Sequence, residues 1–184
     1  SDAPLMSHQL MGEKVFPLLK NSADPVYFIL IDNLRYDQWK VLEPLISDYF
    51  SVDQEEMFYS ILPTTTAYAR NAIFSGMLPT EIAKKYPKLW VGDDEEEGKN
   101  LHESDFLDIQ MQQNRMTEKH SYHKITNPAA GKDLLSKFSN LDNNKLNVIV
   151  YNFVDMLSHA RTDSNMVREL APDESAYRSI TKSW

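Results

Sequence analysis

Three places in the sequence put chemically capable side chains directly after an apolar run. Asp32 ends the run VYFILID, the threonines 64–66 follow an extended run and Pro63, and Asp155 and His159 follow the run LNVIVYNF. A carboxylate oxygen and an imidazole nitrogen suit Zn²⁺ and similar ions, and residues four apart can face the same side of a helix. Together, the three sets indicate a ligand site more strongly than any one of them alone.

The threonine turn leads into an amphipathic helical pattern. In the stretch ILPTTTAYARNAIFSG, apolar residues recur from Ala69 to Phe74. The N-terminus of a helix presents free N–H groups and a partial positive charge, so it holds phosphate-like anions well, and a hydroxyl there can cap the helix or attack an electrophile. Arg70 lies one turn after Thr66 and could contact a phosphate. The alternatives are a threonine that only caps the helix and an arginine in a surface ion pair.

The elements that would position these residues are those of an α/β fold with a mostly parallel sheet flanked by helices. The apolar runs 26–32 and 146–153 are typical of central strands buried on both faces, and weaker strands are predicted at 57–62 and 121–126. Chemistry in such sheets lies at the carboxyl ends of the strands. In addition to the helix after the threonine turn, helices are predicted over residues 5–19, 35–49, 79–85, 102–113, 128–138 and 171–184.

Composition limits the class of protein. The 184 residues carry a net charge of −8, which argues against broad coating of nucleic acid but not against a small phosphorylated substrate held by metal ions. Cysteine is absent, which excludes disulfides and thiolate metal sites, and a cytoplasmic location is expected. No apolar run approaches the roughly 20 residues that span a bilayer, and no signal peptide opens the chain. The acidic run at 92–100 is predicted to be a solvated loop.

Three motifs together carry a resemblance to a known family: IDNLRYDQW around Asp32, Pro63–Thr66 followed by Ser75–Pro79, and YNFVDMLSHAR with Asp155 and His159. They resemble the alkaline phosphatase superfamily and, within it, the PglZ domain. In that superfamily the first strand ends in a metal-binding aspartate, and nucleotide phosphodiesterases carry Pro-Thr-x-Thr followed by Thr-Gly-x-x-Pro. A Tyr…Asp-x-x-x-His motif supplies ligands of the other metal ion. The chain is also similar to PorX-type response regulators, in which a receiver domain precedes a PglZ domain.

The resemblance implies a role for each matching residue. Thr66 matches the nucleophile, with Thr65 as the second choice, and the phosphoryl group would pass through a covalent intermediate. Asn33 and Arg70 would hold the non-bridging oxygens of the phosphate, unless Asn33 is only a turn residue. The protein ligands of a site with two zinc ions would be carboxylate, hydroxyl and imidazole groups: Asp32, Thr66, Asp155 and His159.

The chain departs from the superfamily pattern after its last matching motif. The superfamily completes its two-metal site with a downstream Asp-His pair and one more histidine, and no histidine follows His159 here. We therefore expect a C-terminally truncated domain whose incomplete zinc site binds metal weakly and supports little or no activity. Residues 1–22 are predicted to be a helical segment or linker from an upstream domain, and residues 23–184 the N-terminal part of a PglZ domain. Such a half sheet would leave a strand edge or an apolar face uncovered, so we expect a dimer, a swapped arrangement or the loss of flexible segments.

The function implied by the resemblance is that of a zinc-dependent phosphodiesterase acting on nucleotides or on short linear or cyclic oligonucleotides. The domain would be the output domain of a two-component response regulator that controls type IX secretion, with a receiver domain upstream. The alternative is a non-catalytic interaction module, in which the phosphatase-like fold binds a signalling partner protein without turnover.

Overall fold

The computed structural model describes residues 3–90, 100–152, 154–158, 165, 169 and 172–183. Three strands form one parallel sheet in the order β1-β3-β2: β1 (Val26–Ile31), β2 (His120–Ile125) and β3 (Leu146–Tyr151). The hydrogen bonds run in register, since Val26 N–H donates to Lys145 O and Asp32 N–H donates to Tyr151 O. Helices flank the sheet, so the α/β architecture with a mostly parallel sheet that the sequence predicted is confirmed.

The predicted helices are present with small shifts of their ends. The described helices are α1 (Phe16–Asn21), α2 (Tyr36–Ile46), α3 (Thr66–Ser75), α4 (Pro79–Lys85), α5 (Glu103–Gln113), α6 (Pro128–Ser136), α7 (Phe138–Leu141) and α8 (Glu174–Ser183), and residues 154–158 are also helical. The predicted helix 5–19 is a 3₁₀ turn (Ser7–Gln9) and a π-helical turn (Met11–Val15) that lead into α1. None of the described helices combines the length and the hydrophobicity that crossing a membrane requires.

β3 is the central strand of the described sheet, and β1 lies at its edge. Leu146, Val148 and Val150 are fully buried, whereas Ile29 of β1 is 60% exposed. The prediction of a buried central strand is therefore confirmed for β3 and wrong for β1 in the described part of the chain. The reason is that an apolar run shows how hydrophobic a strand is, but not how many strands it has as neighbours.

The strand predicted at 57–62 is not part of the sheet. Tyr59 forms an isolated parallel bridge with Met6, and its carbonyl accepts the Ser7 N–H at 3.0 Å. Met57 in the same stretch is 91% exposed. The prediction is wrong because β-propensity makes a ladder only where a neighbouring strand is available to complete the hydrogen bonds. The acidic run at 92–100 lies outside the described residues except for Asn100.

The described residues fall into two units, and the first comprises residues up to 28, 56–122 and 140–147. Within it, α3 packs on α5. Phe74 of α3 is fully buried and meets the rings of Phe28 and Tyr122 edge to face, with ring centroids 6.3 and 5.7 Å apart. Gly76 ends α3 in the left-handed conformation, with φ of 66°, which favours glycine at a helix end.

The second unit comprises residues 29–55, 123–139 and 148 onwards. Within it, α2 packs on α8. The side chain of Gln38 on α2 is fully buried, and its Nε2 donates to Thr181 Oγ1 of α8 at 3.0 Å. A buried amide must find partners when it leaves water, so this bond favours one register of α8 on α2.

Candidate active site

The carboxyl ends of β1 and β3 lie side by side in the second unit. Asp32 follows β1 and donates its backbone N–H at 3.0 Å to the carbonyl oxygen of Tyr151, the last residue of β3. Asp32 is 9% exposed, and Asp155, just beyond β3, is half-buried. Two predicted metal ligands therefore follow neighbouring parallel strands, at the end of a sheet where α/β proteins bind ligands.

Asn33 joins these two strand ends through its side chain. Its backbone is left-handed, with φ of 58°, a conformation that asparagine adopts more readily than most residues. Its Nδ2 donates to Ser158 Oγ at 3.0 Å. Because Ser158 lies one helical turn after Asp155, this bond ties the residue after Asp32 to the segment that carries Asp155. Asn33 is thus a turn residue with a defined partner, and its contact with phosphate stays a prediction.

Tyr177 of α8 contacts Ser158 as well. Its hydroxyl oxygen lies 2.5 Å from Ser158 Oγ and donates to the carbonyl oxygen of Val154 at 3.4 Å. The ring is buried together with Leu157, and the guanidinium carbon of Arg35 lies 5.2 Å from its centroid. A cation over an aromatic ring is attracted by the quadrupole of the ring. The tyrosine is therefore held by packing, by a cation–π contact and by hydrogen bonds at once.

Arg35 belongs to an exposed charged cluster on α2 and α8. It donates from Nε and Nη2 to the carboxylate of Asp37 at 3.0 and 2.9 Å and from Nη2 to Glu174. Arg178 donates to the same Asp37 carboxylate at 3.2 Å. The hydrogen bond from Arg35 is the main reason that the pKa of Asp37 falls to about 2. Exposed pairs of this kind contribute little to stability.

The threonine turn belongs to the first unit. Thr65 occupies the N-cap position of α3, where its carbonyl accepts the N–H groups of Tyr68 and Ala69 at 3.0 and 2.9 Å. Its hydroxyl makes no capping hydrogen bond, so the alternative that this threonine only caps the helix lacks the expected contact. Thr66 is the first residue of α3 and is half-buried. Its roles as nucleophile and metal ligand stay predictions.

Arg70 lies in the interior of the first unit, in an ion pair with Glu103 of α5. Its Nε and Nη2 donate to the two carboxylate oxygens of Glu103 at 2.7 and 2.5 Å. Arg70 is 2% exposed and Glu103 is 0% exposed, and the Tyr122 hydroxyl donates to the same carboxylate. Burial, followed by the charge of Glu103, raises the pKa of Tyr122. The surface ion pair considered for Arg70 is thus a buried one, and its contact with phosphate stays a prediction.

The donor set after the two strands fits a divalent metal ion. Asp32 and Asp155 would supply carboxylate oxygens from one end of the sheet, and oxygen donors suit Zn²⁺, Mn²⁺ and Mg²⁺. The predicted ligand His159 lies outside the described residues. Among the residues that are described, no group of three or more histidine, aspartate and glutamate side chains is close enough to hold an ion. The identity of the metal stays a prediction.

Sequence reasoning missed three residues that organise these sites: Glu103, Ser158 and Tyr177. Ser158 lies within the motif YNFVDMLSHAR, three residues after Asp155, so the sequence could have indicated that the two residues lie close together on a helix. Glu103 is the first residue of α5, where the helix dipole favours an acidic residue. Its position in the sequence therefore did not indicate that it is buried. The partners of Tyr177 come from distant segments, and the sequence pattern of α8 does not indicate them.

A comparison with models of protein families gives a match over most of the chain. The family model described as the BREX system PglZ alkaline phosphatase-like domain matches residues 10–182 of the chain. The match covers β1, the threonine turn and the segment after β3, so all of the predicted site residues fall within it. A search of curated proteins found no match.

Proposed function

Because the chain belongs to the PglZ family of alkaline phosphatase-like domains, we propose that the complete domain is a metal-dependent phosphodiesterase acting on nucleotides or short linear or cyclic oligonucleotides. The observation that carries this proposal is the pairing of strand ends at which Asp32 and Asp155 follow neighbouring parallel strands. Carboxylates from separate strands at one end of a sheet are the arrangement from which a two-metal phosphoryl-transfer site is built. Phosphatase-like hydrolysis is the chemistry that the family suggests, and the diester substrate is our proposal.

In the proposed reaction, the hydroxyl oxygen of Thr66 attacks the phosphorus atom. The bond from phosphorus to the leaving alkoxide breaks, the alcohol departs with a proton, and the phosphoryl group stays on Thr66. Water then attacks the same phosphorus, the bond to Thr66 breaks, and the threonine regains its proton. The first turn of α3 lies where helix N–H groups and the helix dipole favour an anion, which supports this place for Thr66.

Metal ions, which we propose to be zinc, would be held by Asp32 and Asp155 together with Thr66 and His159. When bound, they would supply positive charge that favours loss of the threonine proton and departure of the alkoxide. The protein's part is to keep the carboxylates at fixed positions. The short path from Asp32 through Asn33 and Ser158 to the segment of Asp155 supports that part.

An interaction module is the second candidate, and exposed apolar side chains favour it. Tyr49 and Phe50 are 83% and 70% exposed, and Met57 and Leu62 are 91% and 85% exposed. Exposed apolar stretches often mark surfaces for a partner protein. Under this hypothesis, the domain would be the output domain of a cytoplasmic response regulator that controls type IX secretion, with a receiver domain upstream. It would bind a signalling protein or a second copy of itself.

Hydrolysis of bis-p-nitrophenyl phosphate tests the first candidate. The full-length protein would be assayed with Zn²⁺ against Thr66→Ala and against Thr64→Ala, which removes a nearby hydroxyl from the same turn. We expect Thr66→Ala to lose at least about a thousandfold in kcat, as removal of a nucleophile does, and Thr64→Ala to stay close to the wild type. Equal rates for all three proteins would refute Thr66 as nucleophile, and turnover by none would favour the interaction module.

A further inference from the structure

We propose that Tyr177 is a positioning residue that, through Ser158 and Asn33, fixes the segment of Asp155 relative to Asp32. The inference rests on the proposed function, because Asp32 and Asp155 matter in this way only if they hold metal ions together. It assigns to α8, which carries none of the predicted site residues, a task at the candidate active site.

Hydrogen bonds connect the side chains of Asn33, Ser158 and Tyr177. The Asn33 amide can only donate from Nδ2, so Ser158 Oγ accepts that bond at 3.0 Å. The Tyr177 hydroxyl lies 2.5 Å from Ser158 Oγ, and either of these two hydroxyls can be the donor. The same Tyr177 hydroxyl lies 3.4 Å from the carbonyl oxygen of Val154, to which it can also donate. Hydrogen bonds that share hydroxyl groups in this way strengthen one another by polarisation.

Both ends of the chain are attached to the predicted metal ligands. Asn33 directly follows Asp32, and its left-handed backbone fixes the direction in which the chain leaves β1. Val154 and Ser158 flank Asp155 on the helical segment 154–158. The tyrosine hydroxyl thus contacts that segment at its beginning and at its end, so a rotation of the segment would break one contact or the other.

Tyr177 is itself a firm anchor. It is 3% exposed and packs with Leu157 and Ile180. Arg35 lies over its ring, and α8 is held on α2 by the buried bond from Gln38 to Thr181. A side chain with this many constraints has lost its rotamer freedom already, so it can orient Ser158 at little further loss of entropy.

Metal affinity is the quantity that such positioning should change. Ligands from separate elements bind an ion well only when groups behind them hold their geometry, and loss of such groups typically weakens metal binding by about 10–100-fold. Since Tyr177 acts through Ser158 rather than on a ligand directly, we expect a loss of about tenfold, at the lower end of that range.

The test measures Zn²⁺ affinity of the full-length protein by competition with a fluorescent chelator. The variants are Tyr177→Phe, which keeps the ring and removes only the hydroxyl, and Ser158→Ala, with Ser158→Thr as the rescue that restores a hydroxyl. The matched control is Tyr36→Phe, which removes the hydroxyl that donates to Glu55 at 3.1 Å on the exposed side of α2. Urea unfolding in the presence of EDTA shows whether each variant keeps its fold.

We expect Tyr177→Phe and Ser158→Ala to bind zinc about tenfold more weakly, with Ser158→Thr and Tyr36→Phe close to the wild type. Wild-type affinity in a folded Tyr177→Phe protein would overturn the inference and leave the proposed function standing. Weaker zinc binding in Tyr177→Phe without diester hydrolysis by the wild type would support the inference and reject the proposed reaction. A wild-type protein that binds no zinc, manganese or magnesium would overturn both.

Discussion

The ion pair between Arg70 and Glu103 makes the sharpest prediction for stability, because both groups are out of water. Arg70 is 2% exposed, Glu103 is 0% exposed, and two hydrogen bonds of 2.7 and 2.5 Å join them. Removing one partner of a buried pair leaves an uncompensated charge and typically lowers the free energy of unfolding by about 3–5 kcal/mol. Glu103→Gln keeps the volume and one oxygen that can accept from Arg70 or Tyr122, so we expect a loss near the lower limit, about 3 kcal/mol.

Urea unfolding followed by circular dichroism measures this loss. With an m-value of about 2 kcal/mol per molar for a protein of this size, a loss of about 3 kcal/mol lowers the midpoint by about 1.5 M. Asp133→Asn is the matched control, because it neutralises the exposed pair with Lys137, whose N···O distance is 2.8 Å. Surface pairs contribute about 0–1 kcal/mol, so this control should shift the midpoint by less than about 0.5 M.

A double variant separates the cost of the unpaired charge from the value of the pair. Arg70→Met with Glu103→Leu removes both charges and keeps an apolar volume, and such replacements are often neutral or stabilising. We therefore expect the double variant to be more stable than Glu103→Gln. Two results would refute the conclusion that Glu103→Gln leaves the buried charge of Arg70 uncompensated. One is a urea midpoint for Glu103→Gln within about 0.5 M of the wild type, and the other is a double variant that is no more stable than Glu103→Gln.

Two further predictions concern β2 and the end of α3. Burial lowers the pKa of His123, so the folded protein binds a proton there less readily than the unfolded chain; stability should be complete above about pH 6.5 and fall below it. His123→Gln should reduce this acid slope in thermal melts between about pH 7.5 and 5, and an unchanged slope would contradict the assignment. Gly76→Ala should cost about 2 kcal/mol in urea unfolding, because φ is 66° and a Cβ would clash with the side-chain amide of Gln110. A loss below about 0.5 kcal/mol would show that Gln110 moves aside freely.

Local patterns carried most of what the sequence revealed about the fold. The apolar runs before Asp32 and Asp155 are β1 and β3, and the helix after the threonine turn begins at Thr66. These predictions hold because hydrophobic period, turn residues and strand-end polarity are all encoded within a few positions. The same reasoning placed Asp32 and Asp155 at equivalent strand ends, which parallel pairing of β1 with β3 then made neighbours.

Non-local pairing is where the sequence was insufficient. The stretch 57–62 has strand-like residues, yet Tyr59 forms only an isolated bridge, to Met6. The partner of Arg70 is 33 residues away, and nothing in the pattern of α5 distinguishes a buried Glu103 from a solvated first-turn acid. Burial of a charge is decided by which helices pack together, and that depends on the whole fold rather than on either helix alone.

The buried pair also bears on which groups can reach a substrate. For Arg70 to contact a phosphate, its guanidinium would have to leave the carboxylate of Glu103, and an abandoned buried carboxylate costs about 3–5 kcal/mol. A hydrogen bond to one phosphate oxygen would not offset that cost, since hydrogen bonds to charged groups contribute about 1.5–3 kcal/mol each. The pair is therefore better suited to fixing α3, and with it Thr66, than to binding the anion. In the proposed reaction, the N–H groups in the first turn of α3 would then be the protein groups of this unit that bind the anion.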